Sequence, residues 1–199
     1  ESKVAFDIGA SYGYYALLLS RVVGVNGHVF SFEPDWRSFQ RLTRNLTLNH
    51  CENVTAVPLC LSDAGAGLAT WQSLHDEPWK SGLVVDGSDK SKGERMAVPM
   101  SELDAFVAAI DLSRPVSLIK VDVEGAEHRV LRGAIHLLTN AKPLILCELH
   151  GADIAGQVFA FLSSIEYEWI IVEYVSEYRQ HILAFASEQA SVYRQLVLR

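Results

Sequence analysis

The sequence has few cysteines, no long apolar run and no excess of basic residues. Its three cysteines, Cys51, Cys60 and Cys147, show no C-x-x-C spacing, so the pattern favours neither a disulfide framework nor a thiolate metal site. Cys60 and Cys147 lie in apolar segments, where buried and reduced thiols are expected. No segment approaches the roughly 18 consecutive apolar residues of a membrane-spanning helix, and no signal peptide is recognisable. We therefore expect a cytoplasmic protein without a transmembrane segment.

Acidic residues outnumber basic ones, with 24 Asp and Glu against 17 Lys and Arg, which gives a formal net charge of −7. A nucleic-acid surface needs a clustered excess of Lys and Arg. The densest basic group, Lys90, Lys92 and Arg95, lies among Gly, Ser and Asp residues, which indicates a solvated loop. We therefore expect no nucleic-acid partner, and the oligomeric state stays open.

Segments with strand and helix patterns alternate along the chain, and this predicts an α/β fold with a parallel sheet and helices on both faces. Strands are expected at residues 3–7, 28–32, 53–61, 117–122, 143–149, 167–172 and 181–185. Helices are expected at residues 14–23, after Asp35, and at 102–110, 125–139 and 154–165, with Asp35 and Ser101 as N-caps. A hydrophobic content of 49% over 199 residues predicts a single domain spanning residues 1–199. Because the first expected strand begins at Lys3, it stays open whether an N-terminal segment is missing.

Residues 64–100 break this alternation. Glycines separate three short apolar runs in this segment, at residues 68–71, 83–85 and 96–98. The pattern predicts an irregular β-rich insertion at about 64–100 that is mobile around residues 86–94.

The first strand leads into a D-x-G-x-x-x-G loop formed by Asp7, Gly9 and Gly13. Glycine leaves room for a ligand to approach the backbone and tolerates positive φ. A dinucleotide fold directs such a loop at a pyrophosphate, but the carboxylate of Asp7 would repel phosphate and could hold a cationic amino group. S-adenosylmethionine has an ammonium and a sulfonium and no phosphate, so it fits this loop. The alternative is an ordinary strand–turn–helix of an α/β protein.

Carboxylates follow two further strands at the point where each strand ends. Glu33 comes after the second strand and Asp63 after the third. In open α/β sheets ligands bind at the carboxyl ends of the strands, where Glu33 could accept both hydroxyl protons of a ribose. Asp63 could accept the exocyclic amine of adenine, and the alternative is that both residues only belong to turns. Three carboxylates at three successive strand ends indicate a nucleoside site more specifically than any one of them.

The fourth strand carries charged residues at its end. Lys120 and Asp122 share one face of this strand, and charges in an apolar strand are costly unless they are paired or functional. A Lys120–Asp122 ion pair is therefore one interpretation. The other places Asp122 and Glu124 at the mouth of the site, beside the transferable methyl group, with Glu127 complementing the dipole of the following helix.

His150 follows the fifth strand and is the best placed of the seven histidines for proton transfer near neutral pH. A turn histidine with a purely structural role is the alternative. Lys120, Asp122, Glu124 and His150 form the candidate catalytic set. A divalent metal such as Mg²⁺ could instead lower the pKa of an acceptor hydroxyl. It would be held by His150 together with Asp122, Glu124 or Glu148.

These residues resemble the FkbM-type S-adenosylmethionine-dependent methyltransferases. The matching stretches are DIGASYGYY (7–15), FEPD (32–35), NVTAVPLCLSD (53–63), IKVDVEGAEHRVLRGA (119–134) and CELH (147–150). The resemblance implies a class I methyltransferase fold, Rossmann-like and three-layered, with a seven-stranded and mostly parallel sheet whose last strand is antiparallel. It also implies O-methylation of a hydroxyl on a sugar, a lipid-like compound or another natural product.

The resemblance also implies which residues bind the methyl donor. Asp7 and the loop after it would hold the amino-acid end, Glu33 the ribose, and Asp63 with its neighbours the adenine. The full set is Asp7, Gly9, Ala10, Ser11, Gly13, Tyr14, Glu33, Pro34, Leu61, Ser62, Asp63 and Asp122. One departure is Ser11, where the family usually has Asn, so the contact made by this side chain is in doubt.

In the expected reaction the protein aligns the donor with a small-molecule hydroxyl and accepts one proton, with His150 or Asp122 as the base. A second hypothesis is a non-catalytic S-adenosylmethionine-binding module that acts as a partner or regulator. A third is a nicotinamide-dependent oxidoreductase, for which a loop that begins with Asp7 has the wrong shape. The identity of the methyl acceptor cannot be read from the sequence, because its pocket would come from residues 64–100 and from any N-terminal segment that is missing.

Overall fold

The computed structural model describes residues 3–74, 81–84, 93–112, 114–176 and 179–197. The strands are β1 (Val4–Ile8), β2 (His28–Phe32), β3 (Val54–Val57), β4 (Cys60–Leu61), β5 (Gly67–Ser73), β6 (Gly82–Leu83), β7 (Glu94–Ser101), β8 (Val116–Val121), β9 (Leu144–His150), β10 (Tyr167–Ser176) and β11 (Arg179–Ala186). The helices are α1 (Tyr14–Val23), α2 (Trp36–Leu48), α3 (Leu103–Ala109), α4 (Glu127–Arg132), α5 (Ile135–Ala141), α6 (Ala152–Ser164) and α7 (Ala190–Val197), with a 3-10 turn at Ser187–Gln189.

The main sheet has seven strands in the order β10-β11-β9-β8-β1-β2-β3. Only β11 pairs antiparallel with its neighbours β9 and β10, and the other pairings are parallel. The chain runs outward from β1 through β2 to β3, then returns to β8 on the other side of β1. The order therefore reverses between β1 and β8, which is where open α/β sheets bind ligands. The predicted mostly parallel sheet with an antiparallel last strand is confirmed.

Alternate side chains of β1 point to two different helical layers. Phe6 is fully buried in the larger core cluster, which includes Leu131 of α4 and Leu162 of α6. Ala5 points to the opposite face, where it packs with Leu19 of α1. Because successive side chains of a strand alternate between faces, the nearly continuous apolar run in β1 is explained by helices on both sides of the sheet. The expected three-layer arrangement is present.

The predicted cap of the second helix is confirmed. The side chain of Asp35 accepts hydrogen bonds from the backbone N–H groups of Arg37 at 3.0 Å and Ser38 at 3.1 Å. These are two of the donors that the first turn of α2 leaves without an intrahelical partner. The cap fixes the direction in which the chain leaves β2, and it therefore also fixes Glu33 and Pro34.

The predicted cap of the third helix is wrong. Ser101 ends β7, and α3 begins after Glu102 without a side-chain cap. The carboxylate of Asp104 in α3 caps a different helix, because it accepts from the N–H groups of His136 at 2.8 Å and Leu137 at 2.9 Å in α5. In the first turn of α3, the N–H of Asp104 donates instead to the carbonyl of Gly133 at 2.9 Å, which is a long-range contact.

The single helix predicted at 125–139 is also wrong, because α4 and α5 are separate. The break lies at Gly133, where an added Cβ would overlap the carbonyl oxygen of Ser62. The chain therefore needs glycine at this position, since the loop after β4 packs directly against it. The carbonyl of Gly133 accepts a hydrogen bond from Asp104 N at 2.9 Å, which holds the break in place.

The β-rich insertion is a small second sheet in the order β4-β7-β5-β6. The strand expected at 53–61 is divided, because β3 belongs to the main sheet while β4 pairs with β7. Cys60, Trp71 and Val98 form the core of this small sheet. The mobility was expected around residues 86–94, and most of that segment lies outside the described part of the chain, which omits residues 85–92. The omitted residues include Val85, which ends the predicted run 83–85, and the basic residues Lys90 and Lys92.

The last two strands are longer than predicted, because the outer half of β10 is exposed on both faces and the first residues of β11 are only partly buried, so neither segment has a burial pattern. Ile171, Tyr174 and Val175 are exposed there. Across the described ranges, none of the helices has the length and apolar character needed to cross a bilayer.

Candidate active site

The loop after β1 approaches the end of β8 so closely that a side chain would not fit. Gly9 has φ 78°, and an added Cβ would overlap the carbonyl oxygen of Asp122. The N–H groups of Gly9 and Ala10 both donate to the carbonyl of Phe32, at 3.1 and 2.9 Å. Ser11 has φ 48°, a left-handed conformation that Asn adopts more readily than Ser. The loop therefore joins the ends of β1, β2 and β8 at one point.

Glu33 lies at the end of β2 and is held by two backbone groups. Its Oε2 accepts from Ser11 N at 2.7 Å, and its Oε1 accepts from Asp35 N at 2.9 Å. Burial raises the pKa of this carboxyl to about 7, although the two hydrogen bonds act in the opposite direction. Since a carboxylate oxygen has more than one lone pair, each oxygen can still accept a hydrogen bond from a ligand.

Lys120 connects two carboxylates beneath the site. Its Nζ lies 3.3 Å from Asp7 Oδ1 and 3.5 Å from Asp122 Oδ2, and it donates to the carbonyl of Gly9 at 2.8 Å. Burial acts to lower the pKa of Lys120, but the two carboxylates outweigh it and raise the pKa. Asp7 is fully buried, so its carboxylate contacts Lys120. It can act on a ligand only indirectly, by holding the charge and position of Lys120.

His150 is surrounded by four carboxylates. Its Nδ1 lies 2.8 Å from Glu127 Oε1, and its Nε2 lies 3.4 Å from Glu148, 3.6 Å from Glu124 and 3.9 Å from Asp122. Burial acts to lower the pKa of the imidazole, but the carboxylates of Glu127 and Glu148 outweigh it and raise the pKa to about 10. The ring is therefore protonated at neutral pH and cannot accept another proton.

Glu124 has an unusual backbone and a perturbed carboxyl. Its φ is 54°, a left-handed conformation that is uncommon for a non-glycine residue and is often found at functional sites. Burial raises the pKa of its carboxyl, and the charge of His150 acts against this. A carboxyl with a raised pKa at the mouth of a cavity is a candidate for proton transfer.

Arg179 and Glu127 belong to this cluster, although the sequence analysis gave neither a catalytic or binding role. Arg179 contacts Glu148 and lies 3.8 Å from Glu124. Hydrogen bonds from His150 and His181 hold the pKa of Glu148 down to about 2, although burial acts to raise it. The sequence around neither residue indicates a role in the site. Arg179 reaches it only because β11 pairs with β9, from which it is distant in sequence, and Glu127 is equally expected in the first turn of a helix.

Ligand atoms of Asp122, Glu148 and His150 lie within 4.8 Å of one another, which is compatible with a divalent cation. The donor set is suitable in kind, because carboxylate oxygens and imidazole nitrogens both bind such ions. Three protein cations already neutralise these groups, however, since His150 is protonated, Lys120 lies 3.5 Å from Asp122 and Arg179 contacts Glu148. A metal ion would have to displace both the ring proton and the guanidinium.

A cavity of about 180 Å³ opens at the carboxyl ends of β1, β2 and β8. Seven of the predicted site residues lie on its wall, and they are Gly9, Ser11, Glu33, Pro34, Leu61, Asp122 and Glu124. The wall also includes residues that the sequence analysis did not assign, among them Trp71, Ser81, Leu83 and Arg179. The small sheet and the last hairpin therefore close the cavity on two sides.

The remaining predicted site residues are not among those that line the cavity. These are Asp7, Ala10, Gly13, Tyr14, Ser62, Asp63, Lys120, His150 and the metal candidate Glu148. Tyr14 is 76% exposed. Asp63 pairs with Arg129 at 3.7 Å and Arg132 at 3.4 Å, so its carboxylate is engaged with α4 rather than with the cavity.

The sheet order and the position of the site at its switch point define a class I methyltransferase fold. The sequence pattern of the methyltransferase FkbM domain matches residues 7–188. The chain therefore belongs to the FkbM methyltransferase family.

Two relatives and one solved structure show how far this similarity extends. The chain is 30% identical over 156 residues to the hexuronic acid methyltransferase AglP of Haloferax volcanii, covering 77% of this chain and 59% of AglP. It is 27% identical over 150 residues to methyltransferase 1 of Beauveria bassiana, covering 67% and 59%. The crystal structure of the methyltransferase FkbM of Methylobacillus flagellatus superposes with a TM-score of 0.65 at 19% identity, covering 92% of this chain and 43% of that one. The chain thus spans about three fifths of the relatives that it matches.

Proposed function

We propose that this chain is an S-adenosylmethionine-dependent O-methyltransferase that acts on a hydroxyl of a small molecule, a sugar or another natural product. The observation that carries the proposal is the position of Glu33. Its carboxylate is fixed by Ser11 N and Asp35 N on the wall of the cavity, and Asp122 and Glu124 line the same wall two strands away. One cavity thus offers a ribose acceptor and an anionic end for a sulfonium.

In this proposal the donor lies across the carboxyl ends of the strands. Its ribose hydroxyls donate to Glu33, where charge-assisted hydrogen bonds are strong and orienting. Its adenine lies toward Leu61, and its sulfonium lies toward Asp122 and Glu124. The carboxylates around His150 outnumber the cations, which favours a positively charged group at this end.

The proposed chemical step is an in-line transfer. The acceptor oxygen attacks the methyl carbon while the carbon–sulfur bond breaks, and the bonding electrons stay on sulfur to give a thioether. The hydroxyl proton goes to a carboxylate. We assign this role to Glu124, because His150 is already protonated and Asp122 is paired with Lys120. A carboxyl with a raised pKa is better matched to this task than an ordinary one.

A sugar acceptor is supported by one relative, because AglP is described as a hexuronic acid methyltransferase. Arg179 lies at the mouth of the cavity with 43% of its side chain exposed, where a guanidinium can bind the oxygens of a polar acceptor.

The proposal is tested with labelled S-adenosylmethionine and a panel of hydroxylated metabolites that includes hexuronic acids. We expect methyl transfer by the wild-type chain. In Glu124→Gln we expect strongly reduced transfer with retained binding of S-adenosylhomocysteine, which lacks the sulfonium charge. Glu52→Gln is the control, because Glu52 is exposed and does not line the cavity. Donor binding without transfer to any acceptor would favour the non-catalytic binding module. Loss of transfer on chelation, restored by Mg²⁺, would show that a metal has taken over the role given to Glu124.

A further inference from the structure

The exposed face of α2 carries positive charge in a chain that is acidic as a whole. Arg37, Arg41 and Arg44 are exposed and lie within about 60° of one another around the helix, since each residue turns it by about 100°. We call these three residues the arginine face. No Asp or Glu occurs among the 13 residues of α2, whereas the chain has a formal net charge of −7. The arginine face therefore attracts an anionic ligand.

Two of the three arginines are not neutralised by a carboxylate. Arg37 pairs with Glu94 of β7 at 3.2 Å, but Arg41 and Arg44 form no ion pair within the ranges that the structure describes. The guanidinium carbon of Arg41 instead lies 4.7 Å from the ring centroid of Tyr12, and the guanidinium donates to the hydroxyl of that residue. Since a guanidinium has five N–H donors, Arg41 is held in place and still has donors for a ligand.

The arginine face begins at the rim of the cavity. Ser11 and Ser38 line the cavity, and they directly adjoin Tyr12 and Arg37 in the sequence. Nδ2 of Asn45 in α2 donates to the carbonyl of Tyr12 at 2.7 Å, which ties the loop after β1 to the helix. The arginine face is therefore a fixed continuation of the cavity wall.

Exposed aromatic rings lie beside the same rim. Trp36 is 56% exposed and stacks on Phe39 with a centroid distance of 5.8 Å. Tyr14 is largely exposed and packs edge-to-face on Tyr15 at 5.3 Å. The ring of Tyr15 lies 5.1 Å from Nζ of Lys120, at the proposed methyl-transfer end of the cavity. These rings thus connect that end with α2, and exposed apolar surface of this kind marks a binding site.

We propose that the arginine face binds acidic sugars next to the methylated one, so that the acceptor is an oligosaccharide that contains uronic acids. The inference rests on the proposed function, because it takes the ligand of this face to be the methyl acceptor. A uronic acid fits by its chemistry, since its carboxylate forms paired hydrogen bonds with a guanidinium and its ring packs on an exposed aromatic side chain. Arg37 and Arg44 are about 10 Å apart along the helix, which suits several sugars better than one.

The first test uses trimers of galacturonic acid and of glucuronic acid, with maltotriose as the neutral trimer. Each is titrated into the ¹⁵N-labelled wild-type chain saturated with S-adenosylhomocysteine, and the backbone NMR signals are followed. We expect at least one acidic trimer to bind about tenfold more tightly than maltotriose, with the shifted signals concentrated in residues 11–15 and 36–45. Its affinity should fall as the ionic strength rises, because salt screens exposed charges.

The second test compares two arginine variants. Arg44→Gln should raise the Kd of the acidic trimer about threefold to tenfold, because one guanidinium–carboxylate contact is lost. Its affinity for S-adenosylhomocysteine should equal that of the wild type, since Arg44 does not line the cavity. Arg114→Gln is the matched control, because Arg114 is also exposed but precedes β8 at the opposite edge of the sheet. Both affinities should be unchanged in this control.

Each of three results would overturn the inference while the proposed function stands. These are equal affinity for the acidic and neutral trimers, shifted signals outside the two segments, and an unchanged Kd in Arg44→Gln. Tighter binding of a single-stranded RNA hexamer than of either acidic trimer would assign the face to nucleic acid instead. If the wild type bound no S-adenosylhomocysteine, the proposed function would fail, and the role of the face in acceptor binding would fail with it.

Discussion

His150 and Glu127 form a buried ion pair in which Nδ1 of the imidazole lies 2.8 Å from Oε1 of the carboxylate. Glu127 is fully buried, and the same oxygen accepts from Gly125 N at 3.1 Å and Val123 N at 3.4 Å. One carboxylate therefore holds both the histidine and the turn that carries Glu124. This ion pair therefore holds the carboxylates around His150 in one geometry, although they come from two different strand ends, those of β8 and β9.

The first prediction concerns this pair. Glu127→Gln should lower the pKa of His150 from about 10, because a neutral amide no longer stabilises the imidazolium while burial still opposes it. The amide oxygen can still accept from the backbone of the turn, so the fold should persist. The pKa is measured by an NMR titration of the imidazole ring.

Glu173→Gln provides the control for that titration, because Glu173 pairs with His181 and not with His150. Asp122, Glu124, Glu148 and Arg179 also face the ring cluster and are unchanged in both variants. A His150 pKa that stayed near 10 in Glu127→Gln would show that the other carboxylates are sufficient.

The second prediction concerns the pH dependence of donor binding. The pKa of Glu33 is about 7 in the unliganded protein, and only the ionised form accepts from both ribose hydroxyls. Affinity for S-adenosylhomocysteine should therefore be full above pH 7 and should fall as the pH drops below it, approaching tenfold per pH unit. Glu33→Gln should bind more weakly, by roughly tenfold or more, with a flat profile. Calorimetry from pH 5.5 to 8.5 distinguishes the two, and an equally steep profile in the variant would assign the titration to another group.

The third prediction tests the buried pair of Asp7 and Lys120. Lys120→Met leaves two carboxylates without their cation, and we expect a loss of about 3–5 kcal/mol in the free energy of unfolding. Asp7→Asn combined with Lys120→Met should recover part of this loss, because one of the uncompensated charges is gone. Denaturant unfolding of both single variants and the double variant gives the coupling. Strictly additive effects would mean that the 3.3 Å contact has no energetic role.

The fourth prediction compares two helix-associated glycines. Gly133→Ala should destabilise the protein by more than about 1 kcal/mol, because the new methyl group meets the carbonyl of Ser62. Gly156→Ala should stabilise it by about 0.5–1 kcal/mol, since Gly156 lies within α6 and a Cβ there meets nothing within 4 Å. Thermal unfolding measures both. A neutral Gly133→Ala would show that the loop after β4 yields easily.

The sequence was sufficient to predict the features that depend only on residues close to one another along the chain. Glu33 and the glycine loop directly follow strands, and parallel strands bring their carboxyl ends to one edge, so their proximity follows from the alternation alone. The cap by Asp35 is likewise local. The parallel strands of the main sheet follow from the same alternation, whereas the antiparallel last strand was implied only by the family resemblance.

Contacts between distant segments could not be predicted in this way. The pairing of His150 with Glu127 depends on β9 lying beside β8, and the separation of α4 from α5 depends on Ser62 reaching Gly133. Trp71 fits a small β-sheet core as well as a cavity wall, and only the packing of β4, β5 and β6 brings it to the cavity that Glu33 also lines. Asp63 carries the signal of a strand-end carboxylate, yet the arginines of α4 engage it.

The most direct test of the central claim is a calorimetric titration of S-adenosylhomocysteine into the wild-type chain at pH 8, where Glu33 is ionised. The account predicts saturable binding with one site per chain. An absence of binding under these conditions would contradict it, because the cavity with Glu33, Asp122 and Glu124 on its wall would then not be a donor site.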